Sequence, residues 1–280
     1  MKITGAVFQE PPVIGDTGDR YTNDICTKHS ESSYTIDGND VSFPVVVADA
    51  AMLMNGVLVN ARAAQALLEG SGFRVMEVLP GKAMLQLLAV DYKQNDLGDY
   101  NEGAIIIPAL TAGERKPFPL FGALSRMGSG AVGNFVYRMP VDQEYTTHAG
   151  RFIWGFPKWM SQIDIEFGAN LARGTFIDEG ELVYSIAAKT GGNNTPKEQR
   201  AASLAIRDGR AWKTYGTNNS SGMTFSLGGQ VPEIGDSHPL ALELRSLGLP
   251  KKPVFTVSVA KTHMTFGQPE SVAIGAPFLT

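Results

Sequence analysis

Short apolar runs separated by glycine and proline dominate the pattern of hydrophobic and polar positions in this chain. Two-residue turn signals lie between such runs at four places, and each predicts a β-hairpin. The four signals are Asp37-Gly38, Pro80-Gly81, Glu179-Gly180 and Asp208-Gly209. In segment 163–167, apolar residues alternate with carboxylates, which predicts a strand with one face in water. The pattern therefore predicts a chain rich in antiparallel strands.

Three segments carry helical spacing instead, and their predicted N-caps are Asn60, Asp142 and Ser237. The second of these helices is predicted to end at Gly155. The stretch 190–200 lies between two predicted strands and is predicted to be a long surface loop. Since strands outnumber helices, the fold class is predicted to be α+β. It is built on a curved antiparallel sheet or barrel, with a few helices at its periphery.

Composition and charge narrow the function classes. With 280 residues, 43% hydrophobic and 19% charged, the chain is predicted to be globular. Its 24 basic and 28 acidic side chains give a net charge of −4, so nucleic acid and membrane surfaces are not expected partners. A single cysteine, Cys26, and an N-terminus without signal-peptide features predict a cytoplasmic protein. The longest apolar stretch, 45–59, is too short for a membrane helix.

The sequence predicts neither a dinucleotide-binding loop nor a metal site. Segment 128–133 reads Gly-Ser-Gly-Ala-Val-Gly, but a strand follows it where a dinucleotide-binding loop requires a helix. The histidines His29, His148, His238 and His263 share no ligand spacing. Neither a metal nor an organic cofactor is expected.

Lys158 follows a predicted helix end and is surrounded in sequence by Trp154, Phe156 and Trp159. Burial among such residues lowers the pKa of a lysine, by up to about 3–5 units, and a neutral amine attacks ketones. The alternative is a lysine that lies over an aromatic surface with its ammonium in water. Glu102 stands directly before the apolar strand segment 103–110, where a carboxylate is placed for acid–base chemistry. Its alternative is an ordinary exposed glutamate at a strand end.

Taken together, these stretches resemble the acetoacetate decarboxylase superfamily, which carries a Tyr-x-Glu motif before a strand and a Gly-Arg…Pro-Lys motif further on. The matching residues are Tyr100 and Glu102, and then Gly150, Arg151, Pro157 and Lys158. The resemblance covers roughly residues 40–270. The predicted organisation is an N-terminal extension, 1–35, and a single domain, 36–280.

The resemblance implies a cone-like antiparallel β-barrel with the lysine inside and a homo-oligomeric assembly. It also implies that Lys158 forms a Schiff base with a substrate ketone, that Glu102 moves protons, and that Arg151 is a structural ion-pair residue. The predicted catalytic residues are thus Lys158 and Glu102. The predicted substrate-binding residues are Gln86, Tyr100, Trp154, Phe156 and Trp159.

The chain departs from the family pattern at three positions. Trp159 follows the lysine where the family enzyme has a second lysine, and Gln86 stands in place of a second glutamate. The family's substrate-binding arginine falls near Asn39 or Asp40. The predicted function is a Schiff-base lyase for a small β-keto acid or related carbonyl compound. The alternatives are an aldolase, dehydratase or cyclase that uses the same lysine, and a non-catalytic small-molecule-binding barrel.

Overall fold

The computed structural model describes residues 21–22, 25–30 and 32–273. In chain order the strands are β1 (Tyr21–Thr22), β2 (Cys26–Ser30), β3 (Ser33–Ile36), β4 (Asn39–Ser42), β5 (Val45–Asn60), β6 (Arg74–Val75), β7 (Glu77–Leu79), β8 (Lys82–Asn95), β9 (Tyr100–Leu110), β10 (Gly133–Val141), β11 (Lys158–Met160), β12 (Gln162–Phe167), β13 (Leu171–Asp178), β14 (Glu181–Lys189), β15 (Glu198–Arg207), β16 (Arg210–Leu227), β17 (Glu233–Ile234) and β18 (Phe255–Val272). The helices are α1 (Ala61–Leu67), α2 (Phe121–Gly128), α3 (Glu144–Ala149) and α4 (Pro239–Ser246), and a π-helix spans Gly150–Trp154 directly after α3.

Seven strands close into a barrel whose wall follows the order β10, β15, β16, β18, β5, β8 and β9 and then returns to β10. Neighbouring strands in this wall are antiparallel except β10 and β15, which run parallel. The short strands β6, β7 and β11 extend the same sheet. The predicted α+β fold, an antiparallel barrel with a few helices, is confirmed.

A second sheet of β12, β13, β14 and β17 packs against one face of the barrel wall. Leu87 and Ile105 of the wall share a core with Phe176 of this second sheet, and all three are fully buried. The hydroxyl of Tyr184 on β14 donates a hydrogen bond to the backbone carbonyl of Leu88 at 2.6 Å. Because side chains alternate along a strand, the neighbours of Leu87 on β8 face the opposite side of the wall. The functional site lies on that opposite side.

The N-terminal strands β1 to β4 form a separate antiparallel meander. Tyr34 of β3 packs edge-on against Phe43, which packs edge-on against Trp154 at the end of the π-helix. The meander thus packs against the π-helix through Phe43, which follows β4. The predicted boundary after residue 35 falls within β3, and most of segment 1–35 lies outside the described residues. The division into extension and domain stays a prediction.

The four predicted hairpin turns are confirmed. They join β3 to β4 at Asp37-Gly38, β7 to β8 at Pro80-Gly81, β13 to β14 at Glu179-Gly180, and β15 to β16 at Asp208-Gly209. At three of them both turn residues have positive φ, the geometry that matches the twist of the flanking strands. Strand β12 also has the predicted wet face, because Asp164 and Glu166 are exposed while Ile163 is buried.

The helix caps are confirmed at one position and corrected at two. Asn60 accepts backbone hydrogen bonds at the start of α1 as predicted. Gln143 rather than Asp142 caps α3, because the carboxylate of Asp142 accepts a backbone hydrogen bond at the start of β9 instead. His238 rather than Ser237 caps α4, and its ring nitrogen accepts the backbone hydrogen bond.

Helix α2 is not predicted by the sequence pattern, and it explains the glycine-rich segment 128–133. Gly128 ends α2 and Gly133 begins β10, so a helix precedes the loop and a strand follows it. A dinucleotide-binding loop needs the reverse order. The predicted loop 190–200 is shorter than expected, because β15 begins at Glu198. Within the described part of the chain, no helix has the length and apolarity to cross a bilayer.

Candidate functional site

The segment that carries Lys158 turns sharply between a helix and a strand. The π-helix ends at Gly155, which adopts a left-handed conformation with φ of 74°. Glycine tolerates this conformation because it has no Cβ. The chain then enters β11, in which Lys158 lies in parallel register beside Met139 of β10. Single-turn π-helices occur frequently at functional sites, and here one places the lysine at the barrel wall.

Lys158 and Glu102 form a buried ion pair across this wall. Nζ of Lys158 lies 2.9 Å from Oε2 of Glu102, and both side chains are only 5% exposed. Glu102 is on β9, whose residue 102 pairs with Val141 of β10 and with Val90 of β8. The two motifs that are distant in sequence therefore meet through strand pairing. Glu102 is neither an exposed strand-end residue nor solvated, and Lys158 does not extend into water.

Hydroxyl groups complete the surroundings of the pair. Nζ of Lys158 donates to Oγ1 of Thr146 at 3.0 Å and lies 3.4 Å from the hydroxyl of Tyr100. The hydroxyl of Tyr92 donates to the other oxygen of Glu102, Oε1, at 3.3 Å. The rings of Tyr92 and Tyr100 stack with centroids 4.4 Å apart. The ammonium and the carboxylate are thus both held by neutral groups as well as by each other.

The charge state of Lys158 follows from two opposing causes. Burial lowers the pKa of Lys158, whereas the nearby charge of Glu102 and then Tyr100 raise it, and the net pKa is raised above the ordinary value of 10.5. The predicted lowering of this pKa is therefore wrong, because the carboxylate outweighs the desolvation. Burial also raises the pKa of Tyr100 and of Tyr92, so both remain hydroxyl donors at neutral pH.

Gly150 makes room for the lysine side chain. A Cβ built at residue 150 would lie 2.5 Å from Cδ and 2.8 Å from Cε of Lys158, closer than real contacts allow. The methylene chain of Lys158 therefore passes directly over the backbone of the π-helix. This contact gives a physical reason for glycine in the Gly-Arg part of the motif.

The π-helix is anchored at its C-terminal end by two side chains. Nη1 of Arg207, on β15, donates to the carbonyl of Phe152 at 3.0 Å and to that of Ile153. The indole of Trp154 donates to the carbonyl of Gly267 on β18 at 2.9 Å. The bonds from Arg207 satisfy carbonyls that the end of a helix leaves open, and the bond from Trp154 ties the helix end to β18. They also fix the direction in which the chain runs toward Lys158.

A small cavity opens in front of the ion pair, and residues from six strands of the wall and from the π-helix segment line it. Its polar lining consists of Lys158, Glu102, Tyr92, Tyr100, Asn95 and Ser203. Its apolar lining consists of Val45, Leu97, Met139, Trp154, Phe156 and Phe266. The cavity has a volume of about 40 Å³, enough for a few waters. The pair is therefore accessible from a confined and largely apolar space.

Not all predicted site residues meet here. Tyr100, Trp154 and Phe156 line the cavity beside the ion pair. Gln86 is on the same face of β8 as Val90, which pairs with Glu102. Gln86 lies four residues before Val90, a distance of about 13 Å along the strand. Trp159 points to the other side of β11, where its indole donates to Asp178. Gln86 and Trp159 therefore do not line this cavity, and their role in substrate binding stays a prediction.

Residues near Asn39 are also outside the cavity, because the side chains of Asn39 and Asp40 are exposed on β4. The sequence did not single out Thr146, Tyr92, Asn95 or Ser203. Tyr92 carries no signal in the hydrophobic pattern, because β8 is buried on both faces and its polar positions do not mark one of them. In the described residues, no group of three metal-ligating side chains comes together.

The fold and the site define a class of protein: a closed β-barrel that holds a lysine–glutamate pair behind an apolar cavity. A model of the acetoacetate decarboxylase family matches residues 32–215, more than half of the sequence. The chain belongs to the acetoacetate decarboxylase family.

Solved structures share this fold. An acetoacetate decarboxylase from Legionella pneumophila subsp. pneumophila str. Philadelphia 1 is 17% identical, with a TM-score of 0.60 and coverage of 98% of this chain and 97% of that one. The enduracididine biosynthesis enzyme MppR, solved with pyruvate, is 15% identical, with a TM-score of 0.55 and coverage of 84% and 92%. At such identities the likeness shows the fold alone. No curated protein sequence matches the chain.

Proposed function

We propose that this protein is a lyase that joins the amine of Lys158 to the carbonyl carbon of a small keto acid or ketone as a Schiff base. The observation that carries the proposal is the contact of 2.9 Å between Nζ of Lys158 and Glu102, buried behind a largely apolar cavity. Family membership supports it, because acetoacetate decarboxylases act on a carbonyl compound and the related MppR binds pyruvate.

The ion pair supplies the nucleophile by an internal proton transfer. The ammonium of Lys158 gives a proton to the carboxylate of Glu102, which leaves a neutral amine and a carboxylic acid. In a dry cavity this neutral pair is less disfavoured than in water, because burial penalises both charged forms. Glu102 is placed to accept this proton, because its Oε2 lies 2.9 Å from Nζ of Lys158.

The amine then attacks the carbonyl carbon: a C–N bond forms, and the electrons of the C=O bond move to the oxygen. A proton moves from nitrogen to this oxygen, and the hydroxyl leaves as water with the proton of Glu102. The products are an iminium, water and the regenerated carboxylate. The hydroxyl of Tyr100 lies close enough to Nζ to assist the proton movement, at 3.4 Å.

The iminium draws electrons from a bond at the neighbouring carbon. Loss of carbon dioxide from a β-keto acid or loss of a proton both yield an enamine, so decarboxylation and aldol-type chemistry share this intermediate. A second candidate function, aldolase or dehydratase, is favoured by MppR. That enzyme has been solved with the condensation product of pyruvate and imidazole 4-carboxaldehyde, at 13% identity, a TM-score of 0.53 and coverage of 84% of this chain and 92% of that one.

The proposal is tested by reductive trapping. The protein is incubated with small ketones and keto acids, reduced with cyanoborohydride and analysed by mass spectrometry of its peptides. We expect one adduct on Lys158 and none in Lys158→Arg, because the guanidinium stays protonated and cannot condense. Lys116→Arg serves as a matched control, since the side chain of Lys116 is 54% exposed. Adducts spread evenly over surface lysines, or no adduct with any compound, would contradict the proposal and favour a non-catalytic binding barrel.

A further inference from the structure

The charges that line the cavity balance each other before any substrate binds. Among the described residues of its lining, Lys158 is the one cation and Glu102 the one anion. Their contact at 2.9 Å leaves the pair with no net charge. A substrate that carries a charge of its own therefore meets no unpaired group of opposite sign among these lining residues.

A keto acid would add one negative charge to this space. Schiff-base formation does not compensate for it, because the iminium carries the same single positive charge as the ammonium that it replaces. That positive charge still lies beside Glu102. The substrate carboxylate would thus be held in apolar surroundings without a cation, which is costly for a buried ion.

The other residues that line the cavity fit uncharged groups. Trp154 and Phe156 stack with centroids 5.9 Å apart, and Phe266 packs against Trp154. Such surfaces take up alkyl or aryl substituents. Asn95 and Ser203 supply an amide and a hydroxyl, which hydrogen-bond neutral oxygen atoms but compensate a carboxylate less well than a guanidinium does.

We infer that the carbonyl compound taken up by Lys158 is uncharged, a small ketone or aldehyde with an apolar substituent, rather than a keto acid. This inference rests on the proposed Schiff-base function. It implies that the enamine forms by loss of a proton: Glu102 takes a proton from the carbon next to the iminium, the C–H electrons form a C=C bond, and the C=N electrons return to nitrogen. Carbon dioxide is then not a product.

Two isosteric pairs of compounds separate the possibilities. Pyruvate is compared with 3-methylbutan-2-one, and acetoacetate with 4-methylpentan-2-one, since an isopropyl group replaces the carboxylate at nearly equal shape. The rate of cyanoborohydride-trapped adduct formation at Lys158 is measured for each compound. It is divided by the rate for butylamine under the same conditions, which removes differences in carbonyl reactivity.

We expect the uncharged member of each pair to be favoured by at least about tenfold after this correction. A normalised rate that is equal or higher for either keto acid would overturn the inference. So would release of carbon dioxide from acetoacetate that depends on Lys158. Both outcomes would leave the Schiff-base function standing, whereas no adduct with any of the four compounds would overturn that function and the inference together.

A cation introduced into the cavity lining gives a second test. Ser203→Arg adds a guanidinium to the lining, and Ser203→Gln is its uncharged control of similar shape. We expect the keto acids to gain at least about tenfold against their uncharged partners in the arginine variant relative to the glutamine variant. If the arginine variant still traps the ketones but shows the same ratio as the glutamine variant, charge does not select the substrate and the inference fails.

Discussion

Lys158 and Trp159 are neighbours on β11, yet they belong to two different polar clusters on opposite sides of the strand. Lys158 contacts Glu102 and Thr146 behind the cavity. Trp159 packs edge-on against Phe176 and donates from its indole to Asp178. The alternation of side chains along a strand accounts for this separation.

The two clusters differ in what their polar groups face. Asp178 accepts hydrogen bonds from Trp159 and from Ser161, at 3.2 and 2.8 Å, and lies 3.3 Å from Nε2 of His238. These contacts join β11, β13 and the start of α4, and none of the four residues lines the cavity. Lys158 and Glu102 line the cavity instead. Asp178 is surrounded by fixed donors and so stabilises the fold, whereas Glu102 lies beside a cavity, where a carboxylate can exchange protons with a bound molecule.

Replacing one residue on each side of β11 tests this separation most strongly. In Lys158→Met we expect adduct formation to vanish and any turnover to fall by at least about 10³-fold, since the nucleophile is lost. In Trp159→Phe we expect trapping to stay within about twofold, while the free energy of unfolding falls by about 1 kcal/mol through the lost hydrogen bond. Trapping kinetics measure the reactivity of each variant, and urea denaturation measures its free energy of unfolding. Equal loss of trapping in the two variants would show that the sides are not functionally separate.

Glu102→Gln removes the partner that raises the pKa of Lys158. We expect turnover to fall by about 10²–10⁴-fold, because the proton acceptor and donor is gone. The pKa of Lys158 should at the same time fall below its wild-type value, since burial lowers it and the charge of Glu102 no longer opposes this effect. The pH dependence of acetylation at Lys158, with exposed Lys116 as internal reference, reports the shift. A pKa that stays the same or rises would show that the carboxylate does not control the amine.

Gly150→Ala should displace the lysine without removing it. The new methyl group would overlap Cδ of Lys158, and a shift of the amine by about 1 Å can slow a reaction by about 10²-fold. Gly128→Ala is a matched control, because a Cβ at residue 128 meets no atom within 4 Å. Trapping rates for the two variants provide the measurement. Wild-type rates in Gly150→Ala would refute the tight passage of Lys158 over the π-helix.

Asp178→Asn tests the stabilising cluster. We expect a loss of about 1–3 kcal/mol in the free energy of unfolding, because the indole, hydroxyl and imidazole donors lose their shared acceptor charge. Trapping at Lys158 should be unchanged. Chemical denaturation and the trapping assay test the two statements, and a selective loss of trapping at full stability would assign Asp178 to the reacting side.

Tyr92→Phe should have the smallest effect. It removes the hydrogen bond of 3.3 Å to Oε1 of Glu102 and leaves the ring stacked on Tyr100. A single neutral hydrogen bond contributes about 1 kcal/mol, so we expect about a fivefold slower reaction. Steady-state kinetics with the compound that is trapped best would measure it. A loss as large as that in Glu102→Gln would make Tyr92 a main proton-transfer group.

Local chemistry made several features predictable. The hairpin at Asp208-Gly209 and the cap at Asn60 depend only on residues a few positions apart, and both are confirmed. The wet face of β12 follows from alternation in the same way. The misplaced cap at Asp142 shows the limit, because a contact with a distant strand decided which residue capped the helix.

The site was predictable only in part, because its members come from many strands. The two motifs single out Glu102 and Lys158, but they do not give the strand register and face that decide where Gln86 and Trp159 lie. The cytoplasmic location and the homo-oligomeric state stay predictions. Thr146 carries no signal in the sequence, since its role depends on where α3 lies relative to β11.

By itself, the sequence determined the strand-rich class and the turns, because these depend on local conformation, and its two motifs singled out Glu102 and Lys158 as candidates. Only the tertiary structure decided that these two residues touch and which neighbours face the cavity. It also decided the direction of the lysine pKa shift. That shift depends on a distance between two charges and on their burial, and both are set by how the barrel closes.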